Sequence, residues 1–158
     1  MVRNQTVVKE RATVSEVTGT PFRMEAFSVE ADVPGGRLAA SRARRLMQHE
    51  LAGRVPPSVL PDAALLLTEL VANGVRHGGA GEGSALHVRF EGRPPALRVE
   101  VANPDHVGRT VAPRTPDMSA GGGLGLHIVE RVASRWGVRA QPRTTVWFEL
   151  DCDPSALL

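Results

Sequence analysis

Glu69 and Asn73 stand four residues apart in the run ELVANGVRH, with Arg76 and His77 one turn further on. On a helix, that spacing puts a carboxylate and a side-chain amide on one face, a turn apart. Leu66, Leu70 and Ala72 flank them, and a half-buried polar group in such company is costly unless something satisfies it. The pair suits a proton acceptor beside an oxygen donor for a hard cation. It also suits an ordinary helix-surface pair.

A second group is the run Gly121, Gly122, Gly123, Leu124, Gly125, Leu126, where a loop enters a helical pattern. Glycines allow close backbone approach, so free N–H groups at a helix start can hold phosphate oxygens. A plain hinge has the same composition. A P-loop needs Gly-Lys-Ser/Thr after its glycines, yet the one lysine is Lys9, so that type of site is excluded. A dinucleotide fingerprint should follow a strand directly in a parallel unit, and these glycines follow a proline-rich loop.

The elements that must position these residues begin with a short strand around Ala26, Phe27 and Val29, ended by Pro34, Gly35 and Gly36. Leu38, Ala39, Ala43, Leu46, Met47 and Leu51 then predict a helix, with Arg37, Arg42, Arg44, Arg45 and Gln48 largely on its other face. A second helix opens near Pro61 and Asp62 and runs to His77, stopped by Gly78 and Gly79. Leu86, Val88 and Phe90, then Leu97, Val99 and Val101, predict a hairpin with one buried face, turning at Arg93, Pro94 and Pro95. Residues 103–123 lose all periodicity, and a loop of that length in a compact domain points to function. Leu124, Ile128, Val129, Val132 and Ala133 specify a third helix, closed by Trp136 and Gly137. Two strands follow, 138–140 and 145–150. The order predicts a two-layer α/β sandwich, its mainly antiparallel sheet covered on one face by three helices.

One domain is expected over residues 25–152, with an extension at 1–24 and a tail at 153–158. The net charge is only +2, and the arginines are scattered without interleaved aromatics, which argues against nucleic acid. Cys152 is the single cysteine, so no internal disulfide forms. No signal-peptide core and no uncharged apolar run of membrane-spanning length is visible, giving an expectation of a cytoplasmic protein without a membrane. His49, His87, His106 and His127 lack metal-ligand spacing.

Taken together, ELVANGVRH (Glu69 to His77), VEVANPD (Val99 to Asp105), GGGLGLHIVERVASRWGV (Gly121 to Val138) and TVWFEL (Thr145 to Leu150) resemble the GHKL, or Bergerat-fold, ATP-binding superfamily. Within it, the chain is similar to the stand-alone anti-sigma-factor serine kinases of actinobacteria, over roughly residues 26–150. The resemblance implies ATP and Mg²⁺ as cofactors, Glu69 as general base and Asn73 as the metal ligand. It also implies that Gly121, Gly122, Gly123, Leu124, Gly125 and Leu126 wrap the phosphates, that the preceding loop is a lid, and that Arg76, His77 and Thr145 lie by the nucleotide. Where the family carries an Asp that accepts the adenine amino group's hydrogen bond, this chain has Asn103 at the aligned position, and Asp105, two residues on, is the alternative acceptor if the loop is shifted. An amide still accepts, but loses about 1 kcal/mol of charge-assisted strength.

The implied partners are a sigma factor and an anti-sigma antagonist that the chain phosphorylates on serine. The alternative is a nucleotide-sensing module that sequesters a partner without phosphotransfer. A homodimer is also in the family's repertoire, and the arginine face of the first helix suits either that contact or a partner's. The ATPase portion of a sensor histidine kinase ranks last, because the phosphoacceptor helix has no counterpart here.

Overall fold

The structure, a computed structural model, describes residues 22–104 and 123–152. Its sheet has five strands: β1 (Phe27–Pro34), β2 (Ala85–Arg93), β3 (Ala96–Ala102), β4 (Arg135–Arg139) and β5 (Thr145–Asp151). They lie in the order β1-β2-β3-β5-β4, with every neighbouring pair antiparallel. Three helices cover one face: α1 (Ala39–Leu51), α2 (Leu60–His77) and α3 (Gly123–Val132). This is the two-layer sandwich that the alternating and helical periodicities predict.

Period-two alternation decides which side of each strand enters the core. Leu86, Val88 and Phe90 of β2, Leu97, Val99 and Val101 of β3, and Phe148 and Leu150 of β5 are buried beneath the helices. Register aligns them in rows, with Phe90 opposite Val99 and Val99 opposite Phe148. From above, α1 contributes Ala39, Ala43, Met47 and Leu51, while α2 contributes Ala63, Leu66, Leu67, Leu70 and Val71. Small alanines let the two helices approach, and Arg44 of α1 donates to the Thr68 hydroxyl at 3.0 Å across their junction. The helical stretch Pro57–His77 is long and apolar enough by composition to cross a membrane, but its apolar side is the one packed into this core.

The start of α2 has Pro61 and Asp62 in its first turn, and its end is marked by Gly78, whose N–H donates to Gly74 O at 2.9 Å. The chain then makes a tight connection to β2. Gly36 N–H donates to Ala80 O at 2.9 Å and Gly35 N–H to Ser84 O at 2.8 Å, which ties the start of α1 to this connection. A Cβ on Gly35 would fall 2.4 Å from the carbonyl oxygens of Ala80 and Gly81, so only glycine permits that approach.

Trp136 and Gly137 do not close the third helix, as their place in the pattern suggests. That helix ends at Val132, and both residues belong to β4, opposite Phe148 and Trp147. Gly137 is where the Trp147 ring lies across the neighbouring strand: an added Cβ would sit 2.8 Å from the ring.

The sheet's other face carries no helix among the described residues. It is a checkerboard of charge. Arg98 donates to Glu100 (2.9 Å) and Glu149 (3.0 Å) and stacks on Trp147, 3.9 Å from the ring centroid. Arg135 bridges Glu149 and Asp151, Arg139 reaches Glu100, Arg89 pairs with Glu30 and Glu91, and Arg93 pairs with Glu91. His87 lies between Asp32 and Glu30.

Candidate functional site

On α2, Glu69 and Asn73 fall on the flank of the buried stripe, both half-buried. Asn73 Oδ1 is buried and accepts no hydrogen bond among the described residues. An orphaned amide oxygen costs about 1–3 kcal/mol, and an acceptor left open in this way is able to take a ligand. Glu69 has no ion-pair partner among the described residues, which leaves its carboxylate available. Arg76 and His77 occupy the last turn and are exposed.

Asn103 follows the end of β3, its N–H donating to Thr144 O at 2.9 Å. Its carboxamide is laid against two glycines of α2. A Cβ on Gly78 would fall 2.3 Å from Asn103 Oδ1, and one on Gly74 would fall 3.3 Å from the same atom and 2.7 Å from a Leu86 methyl. Glycine inside a helix costs roughly 1 kcal/mol relative to alanine, and here the cost has a visible return: the end of β3 closes onto α2. Asn73 is the residue before Gly74, so the two amides belong to one corner of the molecule.

Gly123, Leu124 and Gly125 form the first turn of α3, and α3 packs directly on α2 with Leu126 and Val129 buried. The first-turn N–H groups of a helix have no intrahelical acceptor, and glycines leave them uncovered. Gly121, Gly122 and Asp105 lie outside the described residues, as does most of the predicted lid.

Thr145 is only 3% exposed and pairs with Ala102, one residue before Asn103. Its hydroxyl donates to Arg143 O at 3.2 Å. Alternation turns it to the side opposite Val146 and Phe148, away from the helix-covered face that Asn103 occupies. The structure thus sets Glu69, Asn73, Arg76 and His77 along α2 with Asn103 against it, packs α3 on the same helix, and does not bring the Thr145 side chain among them.

Reading the residues alone misses Gly74 and Gly78 as parts of the site. Gly78 is read as a helix stop only. The available signal is Gly74, a glycine in a helix interior, which asks for a packing reason.

Chemically, this corner offers a carboxylate, an unused amide oxygen one turn away, a second amide at a strand end and a glycine-started helix beside them. Among the described residues no cluster of three His, Cys, Asp or Glu side chains could hold a metal. No curated protein matches the chain. The histidine kinase-like ATPase domain family matches residues 36–150, a span that takes in α1, α2, β2, β3, α3, β4 and β5 and leaves out β1. With well over half its length matched, and with this fold, the chain belongs to the family of histidine kinase-like ATPase domains.

Proposed function

We propose that the chain is an ATP-dependent regulator of another protein: an anti-sigma factor that phosphorylates an anti-sigma antagonist on serine. The observation that carries the nucleotide half of this reading is the orphaned Asn73 Oδ1. A hard cation takes oxygen donors, and magnesium is commonly held by one or two protein ligands with the remaining positions filled by phosphate oxygens and water. One spare amide oxygen, with no metal cluster around it among the described residues, fits that division.

When bound, Mg-ATP supplies the phosphoryl group together with the cation that screens its charge. The chain's own residues do the rest. Asn73 would hold the cation, Gly121 to Leu126 would present N–H groups to the phosphates, and Asn103 would accept from the base, with Asp105 the alternative if the loop is shifted. Arg76 and His77 add donors at the end of α2. Glu69 takes the proton of the attacking seryl hydroxyl as its oxygen bonds to the γ-phosphorus, and ADP departs. A lid formed by the segment before α3 would exclude water.

Titration calorimetry with ATP, ADP and GTP, with and without Mg²⁺, tests the nucleotide half. Asn73→Ala should weaken Mg-dependent ATP binding by about tenfold, a single lost ligand of this type; unchanged affinity would remove Asn73 from the assignment. Labelled ATP with a candidate antagonist tests transfer. Glu69→Ala should abolish transfer and spare binding. If the wild type binds ATP and transfers nothing, the chain is instead a nucleotide sensor that sequesters its partner.

A further inference from the structure

The exposed side of α1 has a composition that the fold does not explain. Leu38, just before the helix, then Arg42, Arg45 and His49 recur at four-, three- and four-residue steps, all exposed, with Arg37 and Ser41 alongside. No carboxylate lies three or four positions from Arg37, Arg42 or Arg45 on the chain, and Arg42 and Arg45 are themselves a like-charge i, i+3 pair. None of these three arginines has an ion-pair partner among the described residues, whereas Arg89, Arg93, Arg98, Arg135 and Arg139 on the sheet all do. At the head of the stripe, Pro34, Arg37, Leu38, Arg42 and Glu82 line a cleft of about 360 Å³. Leu38 is 52% exposed at its edge. Hydrogen bonds from Gly35 and Gly36 to Ser84 O and Ala80 O tie the turn before α1, which carries Arg37 and Leu38, to the connection that carries Glu82.

We propose that this stripe and cleft are a docking surface for an acidic segment of another protein, one bearing an apolar side chain that enters the cleft against Leu38. Arg42 and Arg45 at helical spacing, with Arg37 alongside and none of the three in an ion pair among the described residues, match carboxylates on a facing segment, and the leucine supplies an apolar anchor. A second copy of this chain is a poor occupant, because a two-fold contact through the stripe would set arginines against arginines. Nucleic acid is disfavoured by a stripe with no aromatic side chain for stacking; the Glu82 carboxylate in the cleft wall leaves that end to the partner's apolar side chain and the guanidiniums beyond it to the carboxylates. The inference does not depend on phosphotransfer.

The test is fluorescence anisotropy on the full chain with a panel of labelled peptides of about 15 residues, each carrying leucine at helical spacing with glutamates between. The same peptides with glutamine for glutamate, and a DNA duplex, serve as controls. Binding of acidic members is expected, weakening as salt rises and falling by about tenfold both in the glutamine peptides and in the double variant Arg42→Glu, Arg45→Glu. Leu38→Ser should also weaken it, while Arg93→Glu on the sheet should not. ATP affinity, read separately, should stay unchanged in the stripe variants, so failure here is distinct from failure of the nucleotide site. If the charge-reversed pair lowers the melting temperature, Arg42→Gln with Arg45→Gln carries the measurement. The proposal is overturned if no acidic peptide binds, if glutamine peptides bind as well, if the stripe variants bind normally, or if the duplex binds more tightly than any peptide.

Discussion

Arginine is used in two opposite ways on the two sides of this molecule. On the open face of the sheet, register across strands and alternation along them set an acid beside each guanidinium, and the side chains press together until Arg98 is only 12% and Glu100 only 9% exposed. On α1, Arg42 and Arg45 lie on an exposed stripe and neither has an ion-pair partner among the described residues. The same residue type is structural where a pleated lattice supplies its counter-charge, and available where a helix repeats it without one. A count of basic residues cannot separate the two; their neighbours in space can.

The largest expected effect is at the centre of the lattice. Arg98→Ala removes the cation that Glu100 and Glu149 share, leaving them only the more exposed Arg139 and Arg135, and uncovers Trp147, and should cost about 3 kcal/mol in urea unfolding. A loss below about 1 kcal/mol would mean that the sheet face behaves like an ordinary solvated surface and that the contrast with α1 is false. Next, Gly137→Val should cost about 1–3 kcal/mol, because its side chain would displace the Trp147 ring from its bed on β4. The change should appear in tryptophan fluorescence as well as in stability.

Acid should separate the two sides further. Burial pushes the Glu100 and Glu149 carboxyls up, but hydrogen bonds and charge from Arg98, Arg135 and Arg139 outweigh it and hold both below the ordinary value of 4.5. A carboxyl lowered in the fold stabilises fully above its unfolded value, and that contribution is lost as pH falls through its native value. Melting temperature should therefore drop as pH falls below 4.5, and drop less steeply in Glu100→Gln. A profile identical to wild type would remove Glu100 from the account. The smallest effect belongs to α1: Arg42→Glu with Arg45→Glu should change stability by no more than about 0.5 kcal/mol, since both are exposed and unpaired.

Much of this arrangement is legible in the chain. Pro61, Asp62 and Gly78 bracket α2, and the alternation of Leu86, Val88 and Phe90 against Leu97, Val99 and Val101 gives the central hairpin, because each signal is local. The end of α3 is not legible. Gly137 reads as a helix stop when taken alone, and only the partner strand reveals that it makes room for Trp147. The site divides in the same way. Four-residue spacing pairs Glu69 with Asn73 at once, but nothing in the run ANGVRHG announces that Gly74 and Gly78 are shaped to receive Asn103, since that fit is made across the layers of the fold.

The connection from Gly78 to Ser84 backs both margins of the molecule's working end. Gly78 bears on the Asn103 carboxamide, while the carbonyls of Ala80 and Gly81 bear on Gly35, and the Glu82 side chain on Gly36. Hydrogen bonds anchor it to Gly74 at one extremity and to the threshold of α1 at the other. A displacement of that short span cannot be confined to one margin. A molecule that shifted it from the Asn103 side would shift the α1 side with it, and by thermodynamic reciprocity the reverse influence would be equal.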